Sequence, residues 1–400
     1  MQVLIVGAGI GGLTAALGLL QAGHQVRVFE RRADGGELGA GLQLGANATG
    51  ILQRYGLGAA LEGFGFRPQA AELRLGRSGR RVFSVPLGAK AQARYGAPYY
   101  QMHRADLYEA LRDAVLALDG DALVFSRTVS GFSQTTKAAS LAFEEGPPVE
   151  GDVVVGADGL GSALRTTLLG PDAPRFTGHV AYRLLVPTAA LPDGLVAPNA
   201  TVWAGPGGHV VTYYVRGGAY VNVVAVVEQD GWHKETWTEP GDVNALRAAF
   251  AGWHSIVTEV LGAAENCFKW ALFDRAPLAR WSEGRVTLLG DACHPMLPFL
   301  AQGAAMAIED GAALARWLTF GGSVETALRF YQDERLARTA RVQEGARRNG
   351  RWFHRKNIAS QLGTYGPMMV ADRFMPGLIQ TQLDWLYDYK DAGKIVSPAS

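Results

Sequence analysis

The sequence predicts a mixed α/β fold, with α+β character, in three parts: a parallel-sheet domain, an antiparallel β domain inserted into it, and a C-terminal helical segment. Three observations predict it. The first thirty residues read strand, glycine turn, helix, strand. β-rich runs separated by Pro and Gly occupy the middle of the chain, and the pattern turns helical from Gln302 onward. At 400 residues the chain exceeds what one hydrophobic core usually serves, so two packed units are expected.

The first strand is Gln2–Val6, a short apolar run of the kind buried in parallel sheets. Gly7, Gly9 and Gly12 follow as G-x-G-x-x-G, then a helical stretch near 13–21 that Gly23 ends, then a second strand over 25–30. This is a βαβ unit, and with its glycines it is Rossmann-like. The glycines allow a tight turn, close approach of backbone to a pyrophosphate, and close packing of helix on strand, while the helix N-terminus supplies unpaired N–H groups. Glu30 stands 18 residues beyond Gly12, where a carboxylate can accept from ribose hydroxyls; its neighbour Arg31 is placed with the cofactor too.

Two apolar runs, 152–155 and 285–289, are expected to return to that sheet, each ending in a Gly/Asp-rich turn. Between them the runs 182–187, 201–203, 209–215 and 220–227 predict the antiparallel sheet. The expected division is 1–175 for the first part of the cofactor domain, with a small β excursion near 65–100, then 176–275 for the β-rich substrate domain. Residues 276–322 return to the cofactor domain, and 323–400 are C-terminal helices. A long helix is expected over 323–353, with Ser323 as N-cap and Glu325 in its first turn. The arginines from Arg335 onward read as a solvated helix face.

Composition narrows the function. With 38 basic and 37 acidic residues the net charge is +1, which excludes a dedicated nucleic-acid binder. Two cysteines, Cys267 and Cys293, exclude a disulfide scaffold and a four-cysteine metal site; no metal is expected. No basic leader or membrane-length apolar run is apparent, so a cytoplasmic protein without membrane association is expected, as monomer or homodimer. Glycine stands at 51 residues, about 13% against a usual ~7%, which fits backbone passing close to a large ligand.

The glycine turn does not distinguish NAD from FAD. The segment from Gly156 through Asp158 and Gly159 to Ser162 and Arg165, and the segment from Gly290 and Asp291 through His294 and Pro298 to Gly303, do. In this order and spacing the three motifs resemble the single-component FAD-dependent aromatic hydroxylases with the para-hydroxybenzoate hydroxylase fold. They are most like the group of salicylate hydroxylase, 3-hydroxybenzoate 6-hydroxylase and 6-hydroxynicotinate 3-monooxygenase. The resemblance implies FAD as cofactor, NADH or NADPH as co-substrate, O2, and hydroxylation of a small aromatic acid through a flavin C4a-hydroperoxide. Carbon dioxide would be released if the attacked carbon bears the carboxylate. It places Asp291 at the ribityl chain and pyrophosphate, Gly303 and Ala304 at the flavin pyrimidine edge, and Arg104 in an Arg-x-x-Leu contact. Asp158 and Arg165 would serve both FAD and the nicotinamide donor.

On the substrate side, His209 and Tyr213 lie four apart on a predicted strand and therefore on one face. The pair resembles the His-x-x-x-Tyr arrangement of hydroxybenzoate and hydroxynicotinate hydroxylases, with His209 as general base and Tyr213 as substrate partner. Gln43, Ala200 and Phe299 stand where the hydroxynicotinate enzyme has histidine, cysteine and histidine, and Pro298 adjoins them. That difference favours a benzenoid acid over a pyridine. His294 and Cys293 read as packing residues; His24, His179, His233, His254 and His354 carry no motif context. The alternatives are a monooxygenase of this fold acting on a larger or non-acid substrate, a non-catalytic FAD or ligand-binding homologue, and an NAD-dependent dehydrogenase.

Overall fold

The computed structural model describes residues 1–33, 40–231, 239–375 and 377–391; His233 lies outside them. The parallel sheet has six strands. Val286–Leu288, Val153–Gly156, Gln2–Val6, Gln25–Phe29 and Leu123–Val124 run parallel, and Ser282–Glu283 adds an antiparallel edge. Its central strands are buried on both faces, which is why they read as continuous apolar runs. Helices Ile10–Gln21, Arg104–Leu118 and Gly303–Phe320 complete the largest core. Gly23, with φ of 81°, ends the first helix as expected. A separate three-stranded sheet, Val129–Gln134, Ala139–Phe143 and Val149–Gly151, had no signal strong enough to predict it.

The second large sheet has eight strands in the order Glu239–Gly241, Cys267–Asp274, Arg175–Pro187, Tyr220–Glu228, Gly208–Val215, Ala200–Gly205, Ala70–Leu75 and Arg81–Pro86. All neighbours are antiparallel except Ala70–Leu75 against Ala200–Gly205, which is parallel. Thus two strands from the first hundred residues extend a sheet whose other six come from 175–274. One face packs on helices Val243–Ala249 and Ser255–Gly262. The other turns toward Phe299, Phe353 and Tyr365 and toward the parallel-sheet domain.

The long helix runs Val324–Phe353, with the Ser323 hydroxyl accepting from the Thr326 amide at 3.3 Å. Its arginines correct the solvated-face expectation. Arg335 is completely buried between Glu309 and Asp310, Arg338 pairs with Glu309, and Arg347 pairs with Asp274. A one-dimensional charge run cannot show that a second helix presents carboxylates to it. Helix Ile358–Phe374 and the short turns Leu378–Thr381 and Asp384–Tyr387 then fold back over the gap between the two large sheets. Among the described residues no helix is long and apolar enough to cross a membrane.

Candidate active site

A single cavity of about 1320 Å³ runs between the C-terminal ends of the parallel strands and the open face of the eight-stranded sheet. Its volume exceeds the ~300–1,000 Å³ usual for one drug-sized ligand, leaving room for a long cofactor and a small ring together. Gly7, Gly9, Glu30, Arg31, Arg104, Asp158, Asp291, Gly303 and Ala304 line one end. Gln43, His209, Tyr213, Pro298 and Phe299 line the other. Gly12 does not reach the cavity. It sits under the turn, where a Cβ would overlap the Gly7 carbonyl oxygen.

The nucleotide end is built from backbone. Gly7 adopts φ of 101°, a conformation that favours glycine, and a Cβ there would run into the Ala157 carbonyl. At Gly9, by contrast, no protein atom lies within 4 Å of the Cβ position. That turn is closed on the protein side and open on the cavity side, the shape a pyrophosphate requires. Glu30 accepts from the Ala8 amide at 2.9 Å and the Arg32 amide at 3.0 Å, which holds its carboxylate beside the turn. At the opposite helix, the first internal bond runs from Met306 N–H to the Gln302 carbonyl, so the amides of Gly303 and Ala304 precede the helix ladder. The buried Gln302 amide nitrogen has no hydrogen-bond partner among the described residues. These donors, with an open glycine turn, fit FAD.

Burial depresses the Arg104 guanidinium and the Asp291 charge counters it; burial raises Asp291 and Arg104 counters that in turn. Each charge thus offsets part of the other's burial cost at the cavity wall. Asp158, at the cavity wall, accepts from the Ser162 hydroxyl at 2.6 Å and the Leu164 amide at 3.2 Å, fixing the start of helix Ala163–Leu169. Arg165 reaches the carbonyls of Ala292 and Leu160 at 3.1 and 2.6 Å, tying this segment to the Gly290–Ala292 turn.

His294 is a positioning residue, as packing predicts, but through charge. Its Nε2 meets Asp310 at 2.5 Å; Asp310 also accepts from the Gly290 amide at 3.1 Å and from Arg335 at 2.7 Å. Burial alone would raise Asp310, yet His294 and Arg335 hold it down at about 2 from 3.8. Its folded value is depressed, so its stabilisation is complete above the unfolded value and lost as pH falls through the folded one. Acid unfolding followed by circular dichroism is expected to set in below about pH 4, and Asp310→Asn is expected to flatten that limb; an unchanged acid limb would refute this.

At the ring end, strand Gly208–Val215 presents His209, Val211 and Tyr213 to the cavity, as period-two alternation requires, while Tyr214 points away and bonds the Val196 carbonyl at 2.7 Å. His209 is 1% exposed and boxed by the rings of Phe299 and Phe353 at 5.1 and 5.0 Å. Burial, with His354 and His179 beside it, drives its pKa well below the usual histidine value, so the imidazole is neutral and its surroundings oppose a positive charge on it. Tyr213 is buried too, which pushes its phenol up; Arg183 and Asn222 act in the opposite sense. Gln43 accepts from the Tyr99 hydroxyl at 2.9 Å, which fixes its amide at the cavity wall.

Sequence reasoning missed Arg183, Tyr99, Trp270 and His354. Arg183 lines the cavity, lies over the Trp270 ring at 5.2 Å, and its buried Nε has no hydrogen-bond partner among the described residues. Burial and the Arg104 charge lower it to about 10. The available signal was a lone charge inside the apolar run 182–187. His354, which carries no motif context, is buried, with Nε2 2.7 Å from Nδ1 of His209. His254 caps helix Ser255–Gly262 and His24 bonds Thr319, both structural.

The fold and this bipartite cavity fit a protein that holds FAD beside a small ring. Residues 1–346 match the FAD binding domain family. A 3-amino-4-hydroxybenzoate 2-monooxygenase of Streptomyces platensis is 41% identical over 98% of this chain and 96% of its own. The 6-hydroxynicotinate 3-monooxygenase of Pseudomonas fluorescens is 39% identical over 86% of this chain and 89% of its own. A salicylate hydroxylase in complex with its substrate superposes with a TM-score of 0.82 at 27% identity, covering 100% of this chain and 98% of the other. The chain belongs to the FAD binding domain family of FAD-dependent aromatic monooxygenases, enzymes that draw on O2 and NAD(P)H.

Proposed function

We propose that the protein hydroxylates a small hydroxybenzoate-type acid, with its carboxylate on Arg183 and its ring hydroxyl between His209 and Tyr213. The observation that carries this reading is a half-buried cation, with no carboxylate partner among the described residues, at the same end of the cavity as a neutral buried imidazole. An anionic ring acid supplies the charge that Arg183 lacks among the described residues, and its hydroxyl supplies the proton that His209 can take. Phe299, Ala200 and Gln43 make this end more apolar than the hydroxynicotinate pattern, which supports a benzenoid ring. The relatives that act on 3-amino-4-hydroxybenzoate agree with it.

Gly7, Gly9 and the start of helix Ile10–Gln21 would hold the FAD pyrophosphate, Glu30 and Arg31 the adenosine side, Arg104 and Asp291 the middle, and Gly303 and Ala304 the ring edge. A bound FAD would supply the redox chemistry by which NAD(P)H activates O2. The chain's own residues do the rest: Arg183 anchors, Tyr213 and Gln43 orient the hydroxyl, His209 accepts its proton, and Trp270 with Phe299 excludes water. Asp158 and Arg165 would shape the wall against which the nicotinamide donor docks, with NADH favoured because no basic pocket motif marks a 2′-phosphate. A cytoplasmic monomer or homodimer is the proposed state; both cysteines are free and buried, in keeping with a reducing compartment.

The test is NADH oxidation by FAD-loaded protein with 3-amino-4-hydroxybenzoate, salicylate, 3-hydroxybenzoate and 6-hydroxynicotinate, scoring the ring product. Stimulation with hydroxylated product from a benzenoid acid is expected. Product from the pyridine alone would overturn the ring assignment, and no product from any would overturn the acid class. His209→Ala is expected to lower product formation about 100-fold with FAD content unchanged; an unchanged rate across pH would remove the base.

A further inference from the structure

We propose that His354 and Glu228 carry the proton taken up by His209 out to solvent, forming a two-imidazole relay from the ring end of the cavity to the protein surface. The inference rests on His209 acting as the base.

The path is laid down by strand register. His209 pairs with Val226 on one side of strand Tyr220–Glu228, and His179 pairs with Glu228 on the other, so three titratable side chains gather at one end of the sheet. The end of helix Val324–Phe353 then drops His354 into their midst. His209 Nδ1 and His354 Nε2 are 2.7 Å apart, and His354 Nδ1 lies 3.5 Å from Glu228 Oε1. The Glu228 side chain is 34% exposed, so the chain of groups ends in water. His354 Nδ1 is buried and makes no hydrogen bond in the resting arrangement, so a modest rotation of Glu228 completes the path.

Electrostatics explain why such a path is needed. Alone, His209 would have to hold an imidazolium inside a box of Phe299 and Phe353, which its burial opposes. A relay avoids that charge. In the starting state, His209 Nδ1–H donates to His354 Nε2, and His354 Nδ1–H faces the Glu228 carboxylate. The ring O–H breaks as its proton bonds to His209 Nε2; the Nδ1 proton passes to His354 Nε2; the His354 Nδ1 proton passes to Glu228, which releases it to water. Three protons move one place each, both imidazoles exchange tautomer, and the only negative charge gained is on the ring oxygen. Neither histidine carries a positive charge at the end.

The other titratable groups around His354 are placed to keep it neutral. The His179 ring packs against it at a tilt, centroids 4.8 Å apart, with its Nδ1 tied to the Thr177 hydroxyl at 3.1 Å, and Lys356 sits 3.5 Å from the second Glu228 oxygen. Burial, with His179 and Lys356, brings His354 down to about 3. Beyond them lie Tyr365 and Arg355.

The test uses oxidised, FAD-loaded protein mixed with 3-amino-4-hydroxybenzoate in a stopped-flow ultraviolet spectrometer, without NADH, so that ionisation of the ring hydroxyl is read apart from turnover. His354→Phe, which keeps a ring but no nitrogens, is expected to slow ionisation and kcat about tenfold with KM unchanged, and Glu228→Gln several-fold. Both are expected to reduce the slowing seen in D2O. His354→Asn serves as the second variant if the phenylalanine form does not fold. Wild-type ionisation rates in these variants, alongside a slowed His209→Ala, would overturn the relay and leave the base standing. An ionisation transient unaffected by His209→Ala would overturn the base, and the relay with it.

Discussion

Arg335→Met destabilises the protein by about 3–5 kcal/mol, the usual cost of removing one partner from a buried ion pair. Arg335 donates to Glu309 at 2.6 Å and Asp310 at 2.7 Å, and all three side chains are fully buried. Its loss leaves Glu309 with Arg338 and Asn47, at 2.6 and 2.7 Å, but strips Asp310 of its guanidinium. Asp310 in turn holds the Gly290 amide and His294, so the damage reaches the turn carrying Asp291. A lower urea midpoint and weaker flavin retention should therefore appear together. Arg335→Lys should fall between, because an ammonium cannot serve two carboxylates with a rigid fork. An unchanged midpoint in Arg335→Met would refute the assignment.

Gly12→Val abolishes flavin binding by distorting the turn, and Gly9→Ala weakens it without distorting anything. At position 12 the added atoms meet the Gly7 carbonyl, which is backbone and cannot step aside, and the Ala157 methyl at 3.3 Å. At position 9 they meet no protein atom within 4 Å and intrude only on the space given to pyrophosphate. Visible flavin absorbance after desalting, with far-ultraviolet circular dichroism and melting temperature, separates the two. Gly9→Ala should keep the wild-type melting temperature of apoprotein while losing flavin. Full flavin content in both variants would remove the glycine turn from the cofactor site.

The nucleotide end is legible in the sequence because its chemistry is done by backbone. Gly7, Gly9 and Gly12 hold their meaning at fixed spacing within one βα turn, as do Gly290 and Asp291 before the helix that opens at Gly303. Strand Gly208–Val215 is legible in its alternation of His209 and Tyr213, though both faces of its sheet are covered. The ring end is much less so. Arg183 sits in a run that looks like any apolar strand, and its meaning depends on Trp270 nearly ninety residues on. His354 lies 145 residues from His209 and meets it only through the register of three strands and the length of one helix. The parallel pairing of Ala70–Leu75 with Ala200–Gly205 leaves no local trace, because either strand alone reads as an edge hairpin.

That pairing decides how ring specificity could be transplanted between relatives. A chimaera that exchanges 176–275 carries six strands of the sheet and leaves the hairpin of Ala70–Leu75 and Arg81–Pro86 behind on the host. The seam then falls between Ala200–Gly205 and a foreign neighbour, along the five residue pairs from Ala200 and Ala71 to Ala204 and Leu75. Ala71, Leu73, Ala200 and Val202 all face the cavity, so a mismatched seam would spoil the floor of the pocket as well as the sheet edge. The transplantable unit is discontinuous in the chain, and the hairpin at 70–86 belongs to it.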